Sequence, residues 1–161
     1  MLDKTGIATK EQVLSRFPKI EALIKAKAII ECYQDIPCNP CQTSCPFGAI
    51  VIGEDINVQP KLIVEKCTGC GICVTSCPGL AIMLAKVEAD KCVFKIPYEF
   101  LPAPVKGEIW DAVNRAGDGI GEALIENVFI GAKQDKTLLV TVSTDSKHLY
   151  DFVTIRRHHG K

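Results

Sequence analysis

The first 25 residues carry apolar side chains at helical spacing. Val13 and Phe17 fall four positions apart, on one face of a predicted helix. Thr9 and Gln12 match a capping box, in which the two residues satisfy each other's backbone N–H groups at the start of a helix. We therefore predict a helical N-terminal extension over residues 1–25.

An internal repeat occupies residues 26–92. Each copy has a strand-like apolar segment, a cysteine-containing loop, a short helical turn and a second strand-like segment. In both copies a Cys-Pro pair is followed at the same offset by Ala-Ile, as Ala49-Ile50 and Ala81-Ile82. Neither copy is long enough to bury a core by itself, so we expect the two copies to pair around a shared interior.

The pattern changes again over residues 93–161. Residues 93–100 resemble a strand, which we expect Pro97, Pro102 and Pro104 to break into a linker. Four further apolar stretches follow, at 109–113, 120–130, 138–143 and 152–155. Turn-forming residues at 117–119, 131–135 and 145–147 separate them. We predict a small antiparallel β-domain, with a barrel as one arrangement of its strands, and expect it to serve in docking because it carries no recognisable catalytic motif.

Eight of the nine cysteines fall into two runs within the repeat. The regular run is Cys67, Cys70, Cys73 and Cys77 followed by Pro78, which spells C-x2-C-x2-C-x3-C-P. The irregular run is Cys38, Cys41 and Cys45 followed by Pro46, with Cys32 upstream. Thiolates at this density indicate a compact thiophilic group, and the regular run is the bacterial iron–sulphur pattern.

The repeat resembles the two-[4Fe-4S] bacterial ferredoxins over residues 26–91. The resemblance implies an α+β fold in which a pseudo-twofold βαββαβ domain binds two [4Fe-4S] clusters. It also implies crossed ligation, in which the last cysteine of each run serves the other cluster. One cluster would be bound by Cys67, Cys70, Cys73 and Cys45, and the other by Cys38, Cys41, Cys77 and a fourth ligand.

The fourth ligand of this cluster is ambiguous in the sequence. The regular spacing would place a cysteine at position 35, where this chain has Asp35. Cys32 is the favoured ligand, because it lies three residues upstream and Pro37 can redirect the enlarged loop. The alternatives are ligation by the Asp35 carboxylate, or a [3Fe-4S] cluster that lacks the corner iron.

Two other uses of cysteine fit less well. A secreted disulfide framework is disfavoured by the odd cysteine count and by an opening sequence without a continuous apolar segment, so we expect a cytoplasmic protein with no membrane span. Structural zinc sites usually pair two Cys-x2-Cys knuckles across a longer gap. Here the x2 intervals follow one another, and no histidine is nearby.

The remaining residues suggest no further chemistry. The chain has 19 basic and 19 acidic residues and no basic stripe beyond the short 156–161 tail, so nucleic-acid binding is not expected. Cys92 and Trp110 are predicted to be buried, and residues 117–121 to form a hairpin rather than a phosphate loop. His158 and His159 are expected in an exposed tail.

Residues 31–46 carry a second resemblance. They are similar to small iron–sulphur subunits found beside flavin-dependent amine, proline or hydroxyproline dehydrogenases. This implies an electron-transfer subunit in a hetero-oligomer with a flavoprotein dehydrogenase, with no substrate site of its own. The alternative is a free, soluble dicluster ferredoxin.

Overall fold

The computed structural model describes residues 2–132, 134 and 136–158. Four α-helices are α1 (Leu2–Thr5), α2 (Lys10–Arg16), α3 (Pro40–Ser44) and α4 (Ile72–Ser76). The first strands are β1 (Lys27–Ile30), β2 (Ile50–Val51), β3 (Lys61–Leu62), β4 (Ile82–Glu88) and β5 (Lys91–Tyr98). The later strands are β6 (Ile109–Asn114), β7 (Gly119–Phe129), β8 (Leu138–Asp145) and β9 (Phe152–Arg156). Short 3₁₀ turns occupy Ile20–Ile24, Val64–Lys66 and Ser146–His148.

The N-terminal extension contains α1, α2 and the Ile20–Ile24 3₁₀ turn, joined by non-helical segments, and its extent over residues 1–25 remains a prediction. The Thr9 hydroxyl accepts a hydrogen bond from the backbone N–H of Gln12 at 3.2 Å, and the Gln12 side chain accepts one from the Thr9 N–H at 2.8 Å. This reciprocal pair is the predicted capping box at the start of α2. Val13 and Leu23 are buried, so the extension packs onto the rest of the chain.

The repeat has the predicted βαββαβ element order, β1-α3-β2-β3-α4-β4. β1 pairs antiparallel with β4, joining the first and last strands of the repeat, while β2 pairs antiparallel with β3 in a separate two-stranded sheet. Each strand pair therefore combines one strand from each copy. The expected pairing of the two copies is visible in this topology.

The main sheet continues beyond the repeat. It has seven strands in the order β1-β4-β5-β8-β7-β6-β9, and every neighbouring pair is antiparallel. The predicted barrel is not found among the described residues, because β9 returns beside β6 and leaves β1 and β9 as the two edges. The division at residues 92 and 93 remains a prediction, since the sheet runs through it.

Alternate residues of the shared strands enter two different cores. On β4, Ile82 and Leu84 pack with the cysteine loops, whereas Met83 and Ala85 pack with the C-terminal strands. Successive side chains of a strand point to opposite faces, so one sheet separates the two cores. The cysteine loops thus lie on one face of β1 and β4, and the larger apolar core lies on the other.

The four predicted C-terminal strands are all present, and Trp110 on β6 is buried as expected. Residues 115–118 form the turn of the β6–β7 hairpin, with a left-handed Gly117 at φ 88°. Of the predicted 131–135 turn, residues 133 and 135 lie outside the described residues.

The expectation that Pro97 breaks its strand is wrong. β5 continues through Pro97 to Tyr98 and pairs with β8 along its whole length. Its pairing with β4 ends at Lys95, so Pro97 lies where the strand has a partner on one side only. A proline, which has no N–H group to donate, is tolerated at such a position.

We expect Phe94→Ala to lower the free energy of unfolding by about 3–5 kcal/mol. Phe94 has no solvent exposure and stacks on Phe152 with ring centroids 4.4 Å apart, so truncation leaves a cavity in the large core. Denaturant unfolding followed by far-UV circular dichroism measures the loss. Phe100→Ala is the control, because that ring is 72% exposed. An equal loss in both variants would contradict this view of the core.

Candidate iron–sulphur centres

Four cysteines from both copies of the repeat line one cavity of about 90 Å³. They are Cys32, Cys38, Cys41 and Cys77, the first cysteine set. Cys32 follows β1, Cys41 lies on α3, and Cys77 ends α4. Apolar side chains, including Ile30, Ile36, Val58 and Ile82, complete the wall.

The other four repeat cysteines line a second cavity of about 20 Å³. They are Cys45, Cys67, Cys70 and Cys73, the second cysteine set. Cys45 ends α3, Cys67 follows the Val64–Lys66 turn, and Cys73 lies on α4. Each of these two helices therefore contributes one cysteine to one set and, at its end, one cysteine to the other set. The grouping has the form of the crossed ligation that the resemblance implied, and the ligation itself remains a prediction.

The thiols within a set influence one another electrostatically. Burial raises the pKa of Cys73 to about 12, and the neighbouring Cys67, Cys70 and Cys45 contribute to the rise. Burial likewise raises the pKa of Cys41, with added contributions from Cys77, Cys38 and Cys32. Four sulphurs that are costly to ionise together suit a cationic, thiophilic group that replaces their protons.

Backbone amides point at the sulphurs with the symmetry of the repeat. The N–H of Ala49 donates to Cys45 Sγ, and the N–H of Ala81 donates to Cys77 Sγ, both at 3.4 Å. The N–H of Ala28 makes a third such contact with Cys67 Sγ at 3.4 Å. Such donors stabilise negative charge on thiolate sulphur and tune the potential of an iron–sulphur group. The residues present thus fit two iron–sulphur clusters.

Asp35 does not line either cavity. It is exposed, and its Oδ1 accepts a hydrogen bond from Gln59 Nε2 at 3.1 Å. Cys32, three residues earlier, lines the first cavity, and its thiol pKa is raised by burial and by Cys77. The structure therefore places Cys32, rather than Asp35, beside the other three cysteines of the first set.

Two glycines allow the second cysteine loop to approach its neighbours. Gly69 has φ +75°, and a Cβ atom there would lie 2.6 Å from the backbone oxygen of Ala26. Gly71 has φ +85°, and a Cβ atom there would lie 3.0 Å from a methyl group of Leu139. Both positions combine a left-handed backbone with close contact, which glycine alone accommodates without strain.

The remaining candidates lie apart from the two sets. Cys92 is fully buried and its Sγ donates to the carbonyl of Asp145 at 3.3 Å. His158 is exposed and contacts Asp111 at 2.7 Å, which raises its pKa, while His159 lies outside the described residues. Among the described residues, no group of three or more His, Cys, Asp or Glu side chains meets closely enough to hold a single metal ion, the two cysteine sets included. None of the helices in the described ranges combines the length and apolar character needed to cross a membrane.

Two cations beside the cysteine sets were not predicted. Arg16 Nη2 donates to the carbonyl of Cys32 at 3.0 Å, and Lys27 Nζ donates to the carbonyl of Cys67 at 2.6 Å. Both belong to elements upstream of the cysteine runs. No local motif marks them, because the contacts span 16 and 40 positions of sequence.

Residues 32–81 match the 4Fe-4S dicluster domain family. The matched segment contains all eight cysteines of the two sets. The chain therefore carries a 4Fe-4S dicluster domain of the ferredoxin type, and iron–sulphur electron transfer is the function that this domain supports.

Curated relatives share this segment. The chain is 51% identical over 55 residues to a component of the Na(+)-translocating ferredoxin:NAD(+) oxidoreductase complex of Acetobacterium woodii, covering 34% of this chain and 16% of that protein. It is 42% identical over 59 residues to the ferredoxin-type protein NapF of Escherichia coli K12, covering 35% and 36%. A selenate reductase component of Mesobacillus selenatarsenatis is 31% identical over 68 residues, covering 42% and 21%. The chain thus spans well under half the length of these relatives. No solved structure matches it significantly.

We expect Gly69→Ala to disturb the second cysteine set and to reduce bound iron by roughly half, because the added Cβ combines a backbone clash with strain of about 1–3 kcal/mol. Iron and acid-labile sulphide analysis of anaerobically purified protein measures the loss. Gly119→Ala is the control, because Gly119 lies on β7 and lines neither cavity, its φ is not in the left-handed range, and a Cβ there would meet only the far end of the Arg156 side chain at 3.4 Å. Full iron content in Gly69→Ala would show that the loop tolerates displacement.

Proposed function

We propose that this chain is the electron-transfer subunit of an oxidoreductase complex and relays single electrons through two [4Fe-4S] clusters. The observation that carries the proposal is the convergence of eight cysteines, four around each of two cavities, within the matched dicluster domain. Eight cysteines of this grouping suit two cubane clusters with four thiolate ligands each.

The proposed ligands follow the two cysteine sets. Cys32, Cys38, Cys41 and Cys77 would hold the first cluster, and Cys45, Cys67, Cys70 and Cys73 the second. Cys32 is proposed over Asp35 because its side chain lines the first cavity, whereas the Asp35 carboxylate binds Gln59. With Cys32 in place, the first site has four sulphur ligands and does not require a [3Fe-4S] cluster.

The protein's own residues insulate and tune the two sites. When bound, a [4Fe-4S] cluster accepts and gives one electron at a time. The apolar wall of the first cavity limits its contact with water, and the amides of Ala28, Ala49 and Ala81 stabilise negative charge on sulphur. With all four positions of each site used by cysteine, we assign no substrate chemistry to this chain.

We further propose a flavoprotein dehydrogenase as the partner, in a cytoplasmic hetero-oligomer. The similarity of residues 31–46 to small iron–sulphur subunits of amine, proline or hydroxyproline dehydrogenases supports this choice. Oxidation of an amino or imino acid by the partner's flavin yields two electrons. Two one-electron sites in this chain would carry them singly, while the protons leave to solvent.

A second candidate is a free dicluster ferredoxin. The matched domain supports it, because residues 32–81 contain every cysteine that two clusters need. The C-terminal strands favour the subunit, because β5 to β9 form five of the seven strands of the main sheet and carry no cysteine of either set.

Iron counting of matched variants tests the ligand assignment. Wild-type protein purified anaerobically should contain about eight irons per chain. Cys32→Ser should lower the iron content and change the electron paramagnetic resonance (EPR) signal of one cluster, while Asp35→Asn should leave both unchanged. About seven irons in the wild type would indicate a missing corner, and loss of iron in Asp35→Asn alone would identify Asp35 as the ligand.

Co-purification tests the partner. The tagged chain, isolated anaerobically from its native cells, should elute from gel filtration at a mass well above 17.5 kDa with a flavin-containing protein in constant ratio. Flavin fluorescence after denaturation and iron analysis of the same fractions give the stoichiometry. Elution as a monomer with full iron and no flavin would favour the free ferredoxin.

A further inference from the structure

Arg16 reaches from the end of α2 to the backbone of the first cysteine set. Its Nη2 donates to the carbonyl of Cys32 at 3.0 Å and to Gln59 Oε1, and its Nη1 donates to the carbonyl of Pro60 at 3.4 Å. Its guanidinium carbon lies 5.1 Å from the centroid of the Tyr33 ring. The side chain is thus fixed on three sides next to the irregular loop.

This guanidinium has no anionic partner among the described residues, where the ion pairs involve other side chains. Its Nε is buried and lacks a hydrogen-bond partner. A partly buried charge without a counter-charge is unfavourable. The first cysteine set, whose Cys32 carbonyl accepts a hydrogen bond from Arg16, is a nearby group that becomes anionic when its thiols are ionised.

We propose that Arg16 is the counter-cation of the first cluster and that it raises the reduction potential of that cluster selectively. The inference rests on the proposed function, because four cysteine thiolates around a cluster supply the negative charge. A fixed cation stabilises the reduced form, which carries one more negative charge, over the oxidised form. Arg16 is a positioning residue, since it acts on the cluster through the Cys32 segment.

Gln59 connects Arg16 to the loop between Cys32 and Cys38. Its Oε1 accepts from Arg16, while its Nε2 donates to the carbonyl of Tyr33 at 2.8 Å and to Asp35 Oδ1 at 3.1 Å. The amide therefore holds Tyr33 and Asp35 outside the cavity that Cys32 lines. Arg16 and Gln59 together brace the five residues between Cys32 and Cys38.

Lys27 occupies the corresponding place at the second cysteine set. Its Nζ donates to the carbonyl of Cys67 at 2.6 Å and to that of Val64 at 3.0 Å. Cys32 and Cys67 are each the first cysteine of their run, so each run has one cation on the carbonyl of its first cysteine. Lys27 therefore provides a matched control with the opposite cluster as its target.

EPR-monitored redox titration of the full chain tests the proposal. Four proteins are purified anaerobically, and the iron content of each is measured before the titration. They are the wild type, Arg16→Gln, Arg16→Lys and Lys27→Gln. In Arg16→Gln one couple should move to more negative potential by about tenfold in its one-electron equilibrium, or about 59 mV, with iron content unchanged. Arg16→Lys should retain most of the wild-type potential, because the positive charge is kept. Lys27→Gln should shift the potential of the other couple more than that of the couple that Arg16→Gln affects.

The outcomes separate this inference from the proposed function. Wild-type protein without two clusters would contradict the proposed function itself. Two clusters with unchanged potentials in Arg16→Gln, or with both couples shifted equally, would overturn the role of Arg16 alone.

Arg16→His keeps the test decisive if Arg16→Gln loses the first cluster. Because histidine gains its charge near neutral pH, the affected couple should become more positive at about pH 5.5 than at about pH 8. The other couple should show a smaller change. A couple that has the same pH dependence as in the wild type would overturn the proposal.

Discussion

The structure depends on the convergence of four thiols at each of two points, with contributions from both copies of the repeat. α3 carries Cys41 for one set and ends at Cys45 for the other, and α4 does the same with Cys73 and Cys77. Neither set can assemble until both helices lie side by side. The crossed arrangement therefore makes formation of one site conditional on formation of the other, and it explains why the strands pair between copies rather than within them.

The seven-stranded sheet supports the cysteine loops through β1 and β4. β1 and β4 contribute one face to the cysteine loops and the other to the large core, so displacement of either strand disturbs both. An ion pair adds a second connection, because Arg115 in the β6–β7 turn donates from Nε to Glu31 Oε2 at 2.9 Å. Both side chains are mostly buried, and Glu31 immediately precedes Cys32. The C-terminal strands thus stabilise the position of the first cysteine, in addition to any docking role.

Much of this could be predicted from local patterns. The capping box at Thr9, the βαββαβ order and the four C-terminal strands each have a short-range signal in spacing or turn residues. The continuity of the sheet across residue 92 had none, because strand partners are chosen by tertiary packing. The prediction that Pro97 breaks its strand was wrong for the same reason, because a proline is tolerated where the strand has a hydrogen-bonded neighbour on one side only. Arg16 was missed because its contacts with the loop are entirely non-local.

The irregular copy of the repeat shows how a non-local contact can compensate for a lost local pattern. The regular loop holds its cysteines at close spacing and uses Gly69 and Gly71 to turn tightly. The first loop has five residues between Cys32 and Cys38, and a longer loop has more conformations to lose on folding. The helical extension braces that loop through Arg16, and Gln59, which lies between β2 and β3, donates to the carbonyl of Tyr33 within the loop. On this view the extension and the displaced cysteine form one structural unit, in which the charge needed to fix the loop also lies where it can act on the first site.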